Sequence, residues 1–168
     1  EPAYMHSFGM SEYYLVLMEF PLRVNPLRLA LSSEPFIRRY RWQPERGTVI
    51  TVIDKRSGGI AARAQAPPCF AFHHINAFEE DGNIVLDLLC YRDAGIIEEL
   101  RLARLRSGHA VKPVGQLTRF RVPLGGSTVD QPTTIDPMRL GAIEFELPRI
   151  DYERRAGRKH RLVWGTGQ

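Results

Sequence analysis

The sequence predicts an all-β protein, and three observations support this prediction. Short segments rich in β-branched and aromatic residues recur along the chain and are separated by turn residues. Glycine and proline are frequent, with 14 and 12 residues in a chain of 168, as is typical of a protein rich in turns. A helical spacing of apolar residues occurs in one stretch, residues 93–106. Short strands with little helix are typical of a propeller, a sandwich or a barrel.

The composition is that of a globular chain. Apolar residues make up 43% of the sequence and charged residues 25%, which argues against extensive disorder. No apolar run approaches the ~20 residues that span a bilayer, and the short run at residues 15–18 does not form a secretory signal. Cys69 and Cys90 are too few for a disulfide framework, so we predict reduced, buried thiols in a cytoplasmic protein.

The net charge of +4 comes almost entirely from arginine, with basic clusters at residues 38–41 and 154–161. Such clusters could face nucleic acid or anionic lipid headgroups. No zinc-finger, RNP or helix-turn-helix pattern accompanies them, so we predict a solvated surface and no nucleic-acid partner.

The first half of the chain predicts one strand followed by a hairpin. Residues 12–20, EYYLVLMEF, are rich in aromatic and β-branched residues and are stopped by Pro21. Residues 48–54, TVITVID, alternate between apolar and polar side chains, and residues 60–66 are their expected partner. The turn between them, residues 55–59, ends in two glycines.

A second hairpin is predicted between residues 70–78 and residues 84–91, across a turn at residues 79–83. The Asp-Gly pair in this turn, between two apolar runs, is the strongest hairpin signal in the chain. Three further short strands are expected at residues 116–124, 142–147 and 161–164, each flanked by glycine or proline.

One short helix is predicted near residues 93–106, as an excursion between strands. Its apolar residues recur at helical spacing on one side, and its glutamates lie outside. These apolar residues are Ile96, Ile97, Leu100 and Ala103.

Histidine supplies the candidate metal ligands, because imidazole is a common ligand of iron and zinc. His6 lies just before the first strand, and His73 lies within an apolar strand next to His74. Adjacent residues of a strand face opposite sides, so His73 and His74 cannot both point into one site. From spacing alone, a buried strand histidine is more often a hydrogen-bonded core residue than a ligand. A zinc site of Cys69, His73 and Cys90 is conceivable, but it lacks a paired C-x2-C or H-x3-H element.

Two acidic pairs are candidates for carboxylate chemistry of the glycosidase type. Glu79 and Glu80 lie at the second hairpin turn, where a solvated charge is the expected state. Glu144 and Glu146 are two residues apart and therefore share one face of the predicted strand. A carboxylate that faces inward there would need a partner.

Three segments of the chain carry a more specific pattern. They are residues 4–16, YMHSFGMSEYYLV, residues 72–80, FHHINAFEE, and residues 145–152, FELPRIDY. In this order they resemble the HSFG, FHxxNAxE and FExPxInY motifs of the carotenoid cleavage oxygenases. That family includes the vertebrate retinoid isomerase and the bacterial apocarotenoid and lignostilbene oxygenases. The three motifs occur in family order, and the stretch from the first to the last spans nearly the whole chain.

The resemblance implies a seven-bladed β-propeller with an Fe(II) ion on its axis, bound by four histidines. His6 matches the second of these ligands in chain order, and His73 matches the third. Glu146 matches a family glutamate that accepts the other ring N–H of a ligand, and we expect it to orient His73. His74 is expected to point elsewhere. His109 and His160 match no ligand position and are expected at the surface.

The resemblance also implies the reaction. A non-haem Fe(II) dioxygenase of this family cleaves a conjugated C=C bond of a carotenoid, an apocarotenoid or a related polyene or stilbene into two carbonyl products, with O2 as the oxidant. The implied partners are a lipophilic substrate, O2 and, through an apolar patch, a membrane surface. A non-oxidative isomerase of the same family and a propeller that only binds are the alternatives.

The length conflicts with a complete propeller of this kind. Seven blades of ~40–45 residues need ~280–315 residues, whereas this chain has 168. The family's first and fourth histidines, and two of its glutamates, have no counterpart here, and the chain starts at Glu1 rather than at a methionine. We therefore expect residues 1–168 to be a single incomplete domain, the central portion of a longer enzyme, and to be inactive in isolation.

Overall fold

The computed structural model describes residues 1–31, 33–108, 111, 115–125 and 131–167. The strands are β1 (Gly9–Met10), β2 (Tyr14–Glu19), β3 (Leu22–Val24), β4 (Tyr40–Trp42), β5 (Thr48–Asp54), β6 (Ile60–Ala66), β7 (His74–Glu80), β8 (Asn83–Cys90), β9 (Gln116–Pro123), β10 (Thr133–Thr134), β11 (Met138–Glu144), β12 (Glu146–Arg149) and β13 (Trp164–Thr166). The α-helices are α1 (Pro26–Leu31), α2 (Ile96–Glu99), α3 (Leu102–Arg106) and α4 (Tyr152–Arg155), with 3-10 turns at Phe36–Arg39 and Pro44–Arg46.

The strands form two main sheets. The first has the order β1-β2-β5-β6-β10, and the second has the order β11-β9-β8-β7. The central pairs of both sheets are antiparallel, whereas β10 runs parallel to β6. Two further pairs are β3–β4 and β12–β13. This arrangement confirms the prediction of an all-β chain with little helix.

The core lies between the two sheets. Alternate side chains of β5 are buried, as expected of a strand with one face on the core. On β8 the side chains from Ile84 to Cys90 are buried without alternation, because this strand lies between β7 and β9 and is covered on both faces. Met18, Leu86 and Phe120 are among the largest fully buried side chains. Burial of each such side chain is worth about 1.5–3 kcal/mol, so this interface dominates the stability of the chain.

Both predicted hairpins are present. Residues 48–54 and 60–66 pair with the bounds that the sequence predicts. In the second hairpin the turn is tighter than predicted, because the strands continue to Glu80 and resume at Asn83. Asp81 and Gly82 alone form the turn, both with positive φ, as a two-residue hairpin turn requires. The strand that should start at residue 70 begins at His74, and Phe70 instead forms an isolated bridge with Tyr91.

The prediction of one continuous helix at residues 93–106 is wrong. The chain forms α2 and α3 separately, because Arg101 between them is extended. Ile96 is buried on this stretch, whereas Leu100, Leu102 and Leu105 are exposed. A regular helix needs a surface that accepts its whole apolar side, and here only Ile96 and the half-buried Ile97 pack against the core. None of the described helices is long and apolar enough to cross a membrane.

The predicted strand at residues 142–147 is also interrupted. β11 ends at Glu144, β12 begins at Glu146, and Leu147 has a positive φ of 52°. The side chain of Glu144 accepts a hydrogen bond from Gln116 Nε2 at 3.3 Å, whereas Glu146 has different partners. The two glutamates therefore do not share one strand face, contrary to the prediction from their spacing.

A buried polar cluster fastens the end of the chain to the second sheet. Asp87 on β8 is fully buried, and both of its carboxylate oxygens accept a 2.8 Å hydrogen bond from the guanidinium of Arg119 on β9. His160 Nε2 lies 3.4 Å from the same carboxylate, and His160 Nδ1 lies 3.2 Å from Asn76 Nδ2 on β7. Asn76 also donates to the Arg158 carbonyl and accepts from Gly157 N–H.

The sequence-based expectation that His160 lies at the surface is therefore wrong. Its side chain is buried because the Asp87 carboxylate and the Asn76 amide provide the two polar partners that an imidazole needs inside a protein. Neither partner is near His160 in the sequence.

We expect Arg119→Met to destabilise the full-length protein by about 3–5 kcal/mol, because the change leaves the buried Asp87 carboxylate without its cation. Arg121→Met, two residues along the same strand, is the matched control. Arg121 pairs with Glu80, and its side chain is 39% exposed against 19% for Arg119, so its loss should cost about 1 kcal/mol or less. Urea titrations measure both changes, and equal losses would contradict the importance of the buried pair.

The stability of the protein should also depend on pH through His160. Burial, with a smaller contribution from Arg119, lowers the pKa of His160, while Asp87 opposes the shift. The unfolded chain takes up this proton near pH ~6.5, but the folded chain does so only at lower pH, so stability falls as the pH drops below ~6.5. In urea titrations at pH 7.5 and 5.5, His160→Gln should lose less stability between the two pH values than the unchanged protein does. An equal loss in both proteins would refute this assignment.

Candidate functional site

His6 and His73 lie next to each other in the structure, although 66 residues separate them in the sequence. Their ring centroids are 5.3 Å apart, and the rings are nearly perpendicular, at 88°. His6 precedes β1 in the first sheet, and His73 directly precedes β7 in the second. The ring of Phe72 lies 5.3 Å from that of His6 and 6.2 Å from that of His73, so it covers this side of the pair.

Glu146 holds the ring of His73. Its Oε2 lies 2.7 Å from His73 Nδ1, and it also accepts a hydrogen bond from the backbone N–H of Leu147 at 3.0 Å. The side chain of Glu146 is 13% exposed and that of His73 is 30% exposed, so the contact lies out of bulk water but remains within reach of it. A carboxylate at Nδ1 places the ring proton there and leaves Nε2 as the nitrogen with a lone pair.

Tyr91 supplies a further donor to this carboxylate. Its phenolic O–H donates to Glu146 Oε1, and its backbone pairs with Phe70. Burial, followed by the hydrogen bond and the charge of Glu146, raises the pKa of Tyr91 well above its ordinary value. The phenol therefore keeps its proton and acts as a permanent donor to Glu146.

Gly115 permits the carboxylate to lie where it does. A Cβ atom on Gly115 would lie 2.9 Å from the carbonyl oxygen of Phe145 and 3.2 Å from Glu146 Oε1. Any larger residue would therefore require a shift of the Phe145 backbone and of the adjacent Glu146 carboxylate.

His74 takes its partners away from the His6–His73 pair, as strand alternation predicts. Its Nδ1 lies 2.8 Å from the hydroxyl of Ser7. Burial, with a smaller contribution from His73, lowers the pKa of His74 to about 3, so this ring is neutral. His109 lies outside the described residues.

The other candidate sites are not supported. Within the described ranges, no three side chains of histidine, cysteine, aspartate or glutamate cluster in a way that could hold a metal ion, so the structure does not assemble the Cys69–His73–Cys90 site. Cys69 and Cys90 are free thiols, with Cys90 buried and Cys69 half-buried.

The acidic pair at residues 79–80 is not a pair of solvated turn charges, because both residues belong to β7. Glu79 accepts hydrogen bonds from Ser11 and from the backbone of Tyr13. Glu80 contacts Lys159 and Arg121, whose hydrogen bonds lower its pKa to about 2. Each carboxylate is therefore committed to separate structural partners.

Comparison with known proteins identifies the family. The sequence matches the family of the retinal pigment epithelial membrane protein, RPE65, over residues 1–168. The chain belongs to the RPE65 family. This RPE65-family chain is 34% identical to a carotenoid isomerooxygenase of Galleria mellonella over 97% of its length, and 36% identical to the chloroplastic carotenoid cleavage dioxygenase 8 homolog A of Oryza sativa over 99%. It is 32% identical to human β,β-carotene 15,15'-dioxygenase over 99% of its length.

The RPE65-family chain spans about one third of each of these relatives, covering 33%, 31% and 35% of their lengths. Its structure matches 32% of cobalt-substituted Synechocystis ACO with a TM-score of 0.71, at 22% identity and over 96% of this chain. The likeness confirms the predicted fold, an all-β portion of a propeller.

The sequence patterns do not predict the roles of three residues of the site: Ser7, Tyr91 and Gly115. Tyr91 had a usable signal, because it is the polar-tipped residue at the end of a long apolar strand, and a buried phenol needs a partner. Ser7 and Gly115 have no such signal, because their role depends on which segments the fold brings beside them.

Removal of the Tyr91 hydroxyl should destabilise the protein by about 1.5–3 kcal/mol in the Tyr91→Phe variant, because a shielded carboxylate loses a donor. Tyr40→Phe is the control, since the Tyr40 ring is half-buried against Tyr4 and its pKa is raised by burial alone. The Tyr40→Phe variant should lose clearly less stability than Tyr91→Phe in the same urea titration. A Tyr91→Phe variant as stable as Tyr40→Phe would show that Glu146 does not depend on the phenol.

Proposed function

We propose that the full-length protein containing this chain is a non-haem Fe(II) dioxygenase. It cleaves a conjugated C=C bond of a carotenoid, an apocarotenoid or a related polyene or stilbene, and O2 supplies the oxygen atoms of two carbonyl products. Relatives named as carotenoid cleavage dioxygenases support the proposal. The single observation that carries it is the hydrogen bond between His73 and Glu146 beside the ring of His6.

The side chains present fit an iron ion. His6 and His73 would be two of its ligands, and neutral imidazoles leave Fe(II) its full positive charge. Glu146 keeps the proton of His73 on Nδ1, so that Nε2 would face the metal. The remaining ligands would come from outside residues 1–168, which we propose to be a single incomplete domain. When bound, the iron supplies the oxidation chemistry by which O2 reacts with the double bond.

The protein's own residues hold and orient the ring of His73. Tyr91 and the backbone of Leu147 hold Glu146, and Glu146 holds the plane of the His73 ring. Phe72 packs its ring against both imidazoles, with ring centroids 5.3 Å from His6 and 6.2 Å from His73. The reaction needs no side-chain base, because the substrate loses no proton when its double bond becomes two carbonyl groups.

The proposed partners are a lipophilic substrate, O2 and the surface of a membrane, in a cytoplasmic protein. Leu27 and Leu31 on α1 are 70% and 85% exposed, and Phe36 beyond the helix is 57% exposed. Neighbouring exposed apolar residues of this size support contact with lipid.

A non-oxidative isomerase is the second candidate, because one relative is named an isomerooxygenase. Such an enzyme would use the same histidines and would differ in its product. It would return a geometric isomer of unchanged mass and consume no O2, whereas the dioxygenase would yield two shorter carbonyl compounds. Product analysis under 18O2 with carotenoids, apocarotenals and stilbenes distinguishes the two reactions.

We expect His6→Ala and His73→Ala to abolish product formation in the full-length protein, because each removes a ligand. Glu146→Gln should weaken iron binding by about 10–100-fold, because it leaves the ring of His73 without its carboxylate partner. Product analysis checks the first expectation. Iron content after reconstitution, measured by mass spectrometry, shows whether each variant has lost its metal. His160→Gln, in the distant polar cluster, is the control and should retain iron. Wild-type iron content in both alanine variants would contradict the proposal.

A further inference from the structure

The two histidines precede strands of different sheets, so their separation depends on what links those sheets beside them. The hydroxyl of Ser7 is such a link. It donates to the carbonyl oxygen of Phe72 at 2.6 Å, accepts from the backbone N–H of His74 at 3.1 Å, and lies 2.8 Å from His74 Nδ1. Ser7 directly follows His6, and its partners directly precede and follow His73. We call these three hydrogen bonds the Ser7 link.

The protons in the Ser7 link can be assigned. A serine hydroxyl carries one proton and two lone pairs. A carbonyl oxygen has no proton to give, so the 2.6 Å contact with Phe72 takes the proton of Ser7. The hydroxyl then accepts from His74 N–H and from His74 Nδ1–H. His74 therefore carries a proton on Nδ1, and every hydrogen-bonding position of the Ser7 oxygen is used.

We propose that the Ser7 link sets the position of His6 relative to His73, and that Ser7 and His74 are positioning residues for the metal. The inference rests on the proposed function, in which His6 and His73 bind Fe(II). Backbone ladders tie β1 to β2 and β7 to β8, within separate sheets. The Ser7 link joins one sheet to the other within one residue of each histidine, so it restrains both backbones where the imidazoles begin.

Ser11 offers a matched control on the same segment. It is 2% exposed, its hydroxyl donates to Glu79 Oε1 at 2.6 Å, and it accepts from the backbone of Tyr14 at 3.2 Å. This hydroxyl therefore also links the segment around β1 to β7. It acts four residues beyond Ser7, at the far end of β7 from His73. Loss of Ser11 should remove a comparable hydrogen-bonded link without moving either histidine.

The test uses the metal-free full-length protein and Co(II) as a spectroscopic probe. Ser7→Ala should weaken Co(II) binding by about 10–100-fold and change the d–d absorption spectrum, as outer partners of metal ligands do. Ser11→Ala should lower the midpoint of thermal unfolding to a similar extent but bind Co(II) within about threefold of the unchanged protein. Titrations are run well below every unfolding midpoint.

Variants of His74 test the proton assignment. His74→Asn keeps an N–H donor near the Nδ1 position and should restore most of the Co(II) affinity. His74→Leu should bind as weakly as Ser7→Ala. Equal affinities of the Asn and Leu variants would refute the assignment of His74 as a donor.

His6→Ala and His73→Ala separate the two levels of the inference. If both alanine variants bind Co(II) like the unchanged protein, the proposed function fails. If both lose binding while Ser7→Ala and Ser11→Ala bind equally well, the proposed function stands and the positioning role of Ser7 is refuted. Weak binding in Ser7→Ala alone, with intact binding in Ser11→Ala, supports the role.

Discussion

A carboxylate that is withdrawn from water must be matched by donors, and this constraint organises the second sheet and everything packed against it. Asp87 is fully buried and is held by Arg119 and His160. Glu146 is largely buried and is held by His73 and Tyr91. In both cases a residue late in the chain contacts the second hairpin. His160 contacts Asp87 on β8, and Glu146 contacts His73 and Tyr91 at the ends of β7 and β8. The segment from residue 146 to residue 160 is therefore tied to the second sheet by contacts with these carboxylates and with the Asn76 amide, rather than by a long strand ladder.

The same constraint gives the candidate site its order. Glu146 does not contact His6, but it holds the ring of His73 in one orientation, and Tyr91 holds Glu146 in turn. Because the phenol keeps its proton, Tyr91 O–H and His73 Nδ1–H both donate to the Glu146 carboxylate, which accepts both hydrogen bonds. A ring held in this way presents one lone pair, which is what a metal ligand must do. The interaction gives one ring orientation to a histidine at a strand end that is open to solvent over about a third of its side chain.

Much of the fold followed from local patterns. Residues 48–66 alternate so regularly around their turn that the hairpin has the predicted bounds, and the Asp-Gly pair located the second turn correctly. The patterns failed where a distant partner overrode local preference. Residues 93–106 have helical spacing, but only Ile96 and Ile97 of their apolar side pack against the core, and the helix breaks at Arg101. His160 lies in an arginine-rich segment that reads as surface, yet Asp87 and Asn76 draw it into the interior.

The sequence by itself determined the all-β character, the hairpins and, through three motifs, the membership of the family and the pairing of His73 with Glu146. Periodicity and turn chemistry act over a few residues, so they can be read without knowing what lies across the fold. The tertiary structure alone decided that Ser7 joins the two sheets, that Tyr91 donates to Glu146, and that Gly115 leaves room for this carboxylate. Each of these contacts joins residues that are at least 31 positions apart in sequence. A hydrogen bond of this kind depends on where two backbones meet, and no local pattern in the chain encodes that meeting point.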